Sequence, residues 1–378
     1  MAKAMKLKSI KISGYKSYGN NIKTKIDFKD INVIIGANGA GKSNLISFFD
    51  MLSFMTTGAF QRYVGIQGQA QSLLYFGAKE TDTIYAEIVF ESDENMDTYE
   101  FKLIYALNDK LVFGGEKLTW QAKNKHLTPK ELIFSAGNLE SILSDEEQKD
   151  MMVTVIRNIM HNCRVFHFND TSNSAKMRQG TYIDDNGYLR ADAGNLAAFL
   201  YRLKSTIEFD KYYRLILKYS QAALPQLKDF VLVPDSMNKN YVKLNWQTQN
   251  SDELFGPHQL SDGSLRFIAL ATVLLQPPET SPSVIILDEP EIGLHPHAVS
   301  LLANMIKSVG SEKQIILSTQ SSNLLDEFSW DDVIVAEFDR NRDSSTLKRL
   351  SENLLKNWLN DYTLAELWDK NVIGGLPL

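Results

Sequence analysis

Apolar positions recur with a strand's spacing at the start of the chain, at Leu7, Ile10 and Ile12 and again at Ile22, Ile26 and Phe28. The next run, Val33-Ile34-Ile35, is continuously apolar and predicts a buried central strand. A Gly-rich turn follows, and residues 43–55 then place Leu45, Phe48, Phe49, Leu52 and Met55 on one helical face. Three segments rich in β-branched and aromatic residues, 84–90, 99–107 and 110–120, predict an antiparallel meander. Its turn signals are Ser92 to Asp97, Asn108-Asp109 and Gly114-Gly115. Helical spacing takes over in 139–163 and 190–224, for example at Leu196, Phe199, Leu200 and Leu203, without the sustained heptads of a long coiled-coil arm. Strand patterns return at 230–234 and 241–246. A helix is expected at 264–276, strands at 284–287 and 314–318, and helices at 296–308 and 321–328. The pattern is α/β, with an N-terminal lobe 1–130, a mostly helical insertion 131–235 and a C-terminal lobe 236–378.

With 378 residues the chain can bury a sizeable core, and 40 Lys plus Arg against 46 Asp plus Glu leave no global positive field to attract nucleic acid. DNA contact would need a local patch. The densest basic stretch, Lys6, Lys8, Lys11, Lys16, Lys23 and Lys25, reads first as a solvated strand face. The single Cys163 excludes an internal disulfide framework and suits a reducing compartment. Lys3, Lys6 and Lys8 resemble the basic start of a signal peptide, but no apolar core follows, and no apolar run approaches the ~18 residues of a membrane span. A soluble, cytoplasmic protein without membrane partners is expected.

Candidate chemistry begins at Gly36-Ala37-Asn38-Gly39-Ala40-Gly41-Lys42-Ser43, a G-x-x-x-x-G-K-S loop between the buried strand and the helix. Such a loop turns backbone N–H groups towards phosphate oxygens, using conformations that a Cβ would block. Lys42 supplies a charge for the β- and γ-phosphates, Ser43 a hydroxyl for Mg²⁺, and the helix its positive end. Val284-Ile285-Ile286-Leu287-Asp288-Glu289 puts two carboxylates at the C-terminal edge of a buried strand, where ligands of open α/β sheets bind. Asp288 suits the Mg²⁺ shell, and Glu289 suits a base for water attacking the γ-phosphate. Ser261-Asp262-Gly263-Ser264 opens an apolar helix, either as an ordinary N-cap or as a second anion site.

The order G-A-N-G-A-G-K-S-N, L-S-D-G-S-L-R, I-I-L-D-E-P-E-I-G-L-H-P and L-S-T-Q-S resembles ABC-type ATPases of the RecF/SMC-like branch, particularly the compact bacterial AAA family ATPases. The opening K-I-S-G-Y-K-S-Y (11–18) and the tail 357–375 are similar to that group as well. The resemblance implies a P-loop NTPase head of ABC/RecF type with an antiparallel β subdomain and a helical insertion. It also implies a homodimer holding two ATP molecules between two heads. Gly36, Asn38, Gly39, Ala40, Gly41, Lys42, Ser43 and Asn44 would hold ATP with Lys16 close by, while Ser261 and Gly263 would reach the nucleotide on the partner copy. Ser43 and Asp288 would hold Mg²⁺, Glu289 would orient water, and Glu291 to Pro296 would lie at the dimer contact. Gln320 stands where many members carry His, so slow hydrolysis is expected. The signature reads LSDGS rather than LSGGQ, and Asp262 adds negative charge where phosphate should dock. In place of a clear Gln loop, 164–172 offers His167, Asn169 and Asp170. His295 and His297 lack a third metal ligand nearby. The implied function is an ATP-driven switch acting on a nuclease-like effector encoded nearby, or on DNA, in anti-phage defence or DNA repair. The alternative is a non-hydrolysing scaffold locked by ATP. A transporter ATPase subunit fits poorly with this signature and switch position.

Overall fold

The computed structural model describes residues 5–20, 24–123, 127–355, 358 and 361–375. Lys3, Ile22, Lys23 and residues 357, 359 and 360 of the tail motif lie outside the described residues. Two compact units emerge, one from the described parts of 1–164 and 329–378, the other from 165–328.

The first unit opens with β1 (Lys6–Ser13), β2 (Thr24–Asp27), β3 (Ile31–Ile35), α1 (Lys42–Thr56), α2 (Phe60–Ile66) and α3 (Gln69–Leu73). The expected meander follows as β4 (Thr83–Glu91), β5 (Asn95–Ala106) and β6 (Lys110–Ala122), and a fourth strand, β7 (Lys130–Phe134), extends it where the helical insertion was expected to begin. These pair antiparallel in the order β2-β1-β4-β5-β6-β7. Gly114-Gly115, expected as a turn, lies inside β6. There the pairing with β5 shifts register beside Lys102 and Leu103, as glycine inside a strand permits. The inner face of the meander receives α1: Phe48 stacks on Phe101 with ring centroids 6.5 Å apart, and Phe49 meets Phe28 edge-on. That packing anchors the helix whose first turn carries the phosphate loop. Within 139–163 only α4 (Met151–His161) is α-helical, after a 3₁₀ turn at Ile142–Ser144.

The chain passes into the second unit along β8 (Cys163–Phe166) and continues through β9 (Thr181–Tyr182), α5 (Leu196–Ser205), α6 (Asp210–Ala223), β10 (Leu227–Val231), β11 (Tyr241–Val242), β12 (Asn245–Thr248) and β13 (Leu254–Phe255). Then come α7 (Asp262–Leu275), β14 (Val284–Asp288), α8 (Pro296–Val309), β15 (Gln314–Thr319) and α9 (Ser322–Leu325). β14 and β15 pair in parallel from Val284↔Gln314 to Asp288↔Ser318, with nearly every residue buried. α7 is buried from Leu265 to Leu275, and the Lys313 ammonium donates to the Leu274 and Gln276 carbonyls at its C-terminal end.

The first unit closes with β16 (Val333–Asp339), β17 (Ser344–Arg349), α10 (Glu352–Leu355) and α11 (Leu364–Asp369). β16 runs parallel to β3 and antiparallel to β17. No described helix is long and apolar enough to cross a membrane.

Candidate functional site

The first unit assembles the phosphate loop between β3 and α1. Gly36 has φ +153°, and a Cβ there would lie 2.4 Å from the Ala336 carbonyl oxygen on β16, so only glycine fits. Gly41, at φ +108°, precedes α1 and accepts a hydrogen bond on its carbonyl from the Tyr18 hydroxyl at 2.9 Å. Asn44 Nδ2 donates to Ser17 Oγ (2.7 Å), which also receives the Ser345 hydroxyl (2.7 Å). Gly39 (φ +81°) has open space where its Cβ would be. Lys42 is only 5% exposed and folds back over the loop, donating to the carbonyls of Gly36 (2.5 Å) and Ala37 (3.1 Å). Ser43 is exposed on the first turn of α1.

Sequence reasoning missed two supports of this loop. The strand β16 was signalled by the apolar run Val333-Ile334-Val335-Ala336. The tail glycines also matter, because Gly375 accepts from Ala37 N–H (2.5 Å) and donates to Glu337 Oε1 (3.0 Å). A cavity of about 560 Å³ borders the loop, walled by Ala37 to Ala40, by Glu337, Asp339 and Thr346 of the β16–β17 hairpin, and by Gly375. Lys16, in a left-handed conformation (φ +48°), directs its ammonium to Ser47 Oγ (2.6 Å) and Gln67 Oε1 (3.0 Å), and burial lowers its pKa. Lys6, Lys8, Lys11 and Lys25 each pair with a carboxylate, so this basic stretch is largely neutralised where it stands.

The second unit gathers the acids at the C-terminal ends of β14 and β15. Asp288 accepts from the Ser318 hydroxyl. Glu289 is left-handed (φ +45°), and its N–H donates to the Ser318 carbonyl at 3.0 Å, a strained conformation of the kind that collects at functional sites. Gln320 Nε2 donates to Glu289 Oε1, joining the proposed base to the switch position. Glu291 is 8% exposed, accepts from Thr319 Oγ1 (2.5 Å), and burial pushes its carboxyl pKa up. Its Oε2 has no partner among the described residues. Asn169 lines a small crevice with Asp288, Glu289 and Arg266. Asp170 instead accepts from Ser172 in a local turn, and His167 N–H bonds the Ala191 carbonyl.

Ser261 is the N-cap of α7, accepting from Ser264 N–H at 3.1 Å. Gly263 packs so tightly that a Cβ would lie 2.3 Å from the Gly293 carbonyl oxygen, and Arg266 donates to the Ile292 and Phe168 carbonyls. These contacts seat the 291–294 turn on the start of α7. The charge of Asp262 is met by Arg178, 3% exposed, at 2.7 Å. Arg178 also donates to the carbonyls of Thr171, Pro257 and Leu260. Nothing in its sequence surroundings marked it out. His295 caps α8 through Nδ1.

A glycine-formed phosphate loop, carboxylates ending a buried parallel strand and a capped signature helix define a P-loop ATPase head of the ABC/RecF type. Two solved structures share the fold. An Smc head bound to the C-winged helix domain of ScpA aligns over 93% of this chain and 99% of its own, with TM-score 0.61 and 17% identity. An Smc head from Pyrococcus furiosus, with an extended coiled coil and bound to the C-terminal domain of ScpA, aligns over 95% and 99%, with TM-score 0.58 and 15% identity. Residues 31–150 and 184–326 match the AAA_21 family, described as "AAA domain, putative AbiEii toxin, Type IV TA system", and the chain belongs to it. Among curated relatives, Structural maintenance of chromosomes protein 3 of Arabidopsis thaliana is 31% identical over 140 residues, 35% of this chain and 11% of its own length. The energy-coupling factor transporter ATP-binding protein EcfA2 of Ligilactobacillus salivarius is 26% identical over 199 residues, 47% of this chain and 66% of its own. The chain therefore spans only a small part of the first and just under two thirds of the second.

Proposed function

We propose that this chain is an ATP-binding and slowly ATP-hydrolysing switch that dimerises head to head around ATP and signals its state to an effector protein or to DNA. The observation that carries the reading is the hydrogen bond from Gln320 to Glu289 beside Asp288, because it links a γ-phosphate-sensing position to the group that would handle water. In this reading the loop from Gly36 to Gly41, apart from the Ala37 N–H that the Gly375 carbonyl takes, and the Lys42 ammonium hold the triphosphate. Glu289 takes a proton from water as the oxygen attacks the γ-phosphorus and the bond to the β-phosphate oxygen breaks, and ADP leaves. The exposed Ser43 hydroxyl and the Asp288 carboxylate are the hard oxygen donors that suit Mg²⁺. When bound, Mg²⁺ neutralises charge on the phosphates. Ser261 and Gly263 would meet the nucleotide on the partner copy. The neutralisation of Asp262 by Arg178 supports this, since an unpaired carboxylate there would repel phosphate.

Phosphate release by the wild type and by Glu289→Gln tests the chemistry. A rate at least ~100-fold lower in the variant, with ATP still bound, is expected for loss of a general base. Equal, background-level rates would instead favour a scaffold that ATP locks without hydrolysis. The amide at position 320, which cannot gain charge near neutral pH, is the feature that favours this second reading. An effector gene beside this one would favour a defence role over repair.

A further inference from the structure

Apart from the residues of the nucleotide motifs, the first unit holds a cavity of about 780 Å³ lined by Met5, by the β4–β5 turn with Asp93 and Glu94, by Asp97 and Trp120, and by Met151, Met152 and Val155 at the start of α4. Lys130 also borders it. The inward-facing side chains of β5 are Asp97, Tyr99, Phe101 and Leu103, so a carboxylate occupies a register position that its neighbours fill with rings and aliphatic groups. Asp97 stands directly opposite Phe90 on β4 and Trp120 on β6, and Trp120 in turn stands opposite Lys130 on β7.

Asp97 is only 5% exposed, and among the described residues nothing hydrogen-bonds or pairs with its carboxylate, whose oxygens open on the cavity. The nearest cation in register, Lys130, turns to Asp150 at 3.6 Å. Lys123 and Lys8 are both taken by Glu91. A partly desolvated carboxylate with no cation beside it among the described residues, set against an indole and two methionines, describes half of a recognition site. The missing half is a positive charge on an apolar stem. An indole face attracts such a cation, methionine side chains adapt to its methylenes, and the carboxylate completes the pair.

We propose that this cavity binds the alkylammonium or alkylguanidinium end of a lysine or arginine side chain presented by a partner polypeptide. Asp97 meets the cation, Asp93 and Glu94 give the mouth its negative sign, and Trp120, Met151 and Met152 flank the stem. The cavity is several times larger than one side chain, which favours a short segment of chain over a free amine. Burial also pushes the Asp97 carboxyl up to about 6, and a bound cation would relieve that penalty.

Calorimetric titration of the full chain tests the site with four probes: the peptide acetyl-Gly-Leu-Lys-Leu-Gly-amide, its norleucine counterpart, its arginine counterpart and n-butylammonium. The lysine and arginine peptides are expected to bind at least about tenfold more tightly than the norleucine peptide, the difference one charge-assisted contact makes. Asp97→Asn should remove that preference while leaving the norleucine peptide unchanged. Trp120→Leu, which keeps apolar bulk but loses the ring, should weaken the cationic peptides by roughly threefold or more. Should either variant fail to fold, the other still reads the site. Equal binding of lysine and norleucine peptides, or an unchanged preference in Asp97→Asn, would overturn the proposal. Butylammonium binding as tightly as the peptides would overturn its polypeptide part.

Discussion

Asp262 would place a negative charge at the start of the signature helix, and the fold answers it with the buried guanidinium of Arg178, which also ties three carbonyls ahead of α7. Arg178→Met should strand those acceptors, lowering stability by about 3 kcal/mol in urea denaturation, while the exposed Asp262 carboxylate turns to water. Asp262→Asn, at a side chain that is itself largely exposed, should cost less than ~1 kcal/mol. Asp97 makes a pH prediction. Its folded pKa lies above the unfolded carboxylate value, so its contribution is fully present below about pH 4 and is lost as pH rises through about 6. Asp97→Asn should therefore be more stable than wild type at pH 7 by on the order of 1 kcal/mol, and the difference should fade by pH 4. Matched denaturation curves at the two pH values check this. Residue chemistry was unevenly legible: the loop, Asp288 and Glu289 announce themselves by spacing. Arg178 and Glu291 act through contacts across long sequence separations that no local pattern encodes.

At the scale of elements, Gly263 is held by close approach rather than by a special backbone angle. Gly263→Ala should push the 291–294 turn away from α7 and lower stability by roughly 2 kcal/mol, read by thermal denaturation. The meander, α1, α7, α8, β14 and β15 follow from period and run length, because each buries a face or a whole strand that the hydrophobic pattern displays. β16 was not drawn from its apolar run, whose role depends on a pairing partner, β3, some three hundred residues away in the chain. Nor did Gly114-Gly115 read as a bulge, because a glycine pair is an equally good turn signal until its strand partners are known. The tail glycines gain their meaning only by touching the loop at Gly36 and Ala37. A Cβ at Gly374 would lie 2.0 Å from Glu337 Oε1, and Gly374→Ala should loosen that clasp and weaken ATP binding several-fold by calorimetry.

For the whole molecule, the two candidate anion sites of one chain, the phosphate loop and the capped start of α7, make sense together if, as proposed, two copies share each triphosphate. Holding ATP unhydrolysed isolates that step, so sedimentation velocity of Glu289→Gln with Mg²⁺ and ATP, beside the same variant carrying Lys42→Ala, reads it. A shift to twice the monomer mass is expected for Glu289→Gln only when ATP is present, with no shift once Lys42 is removed. Identical sedimentation with and without ATP, or an ATP-driven dimer that survives loss of Lys42, would contradict nucleotide-bridged pairing of the heads.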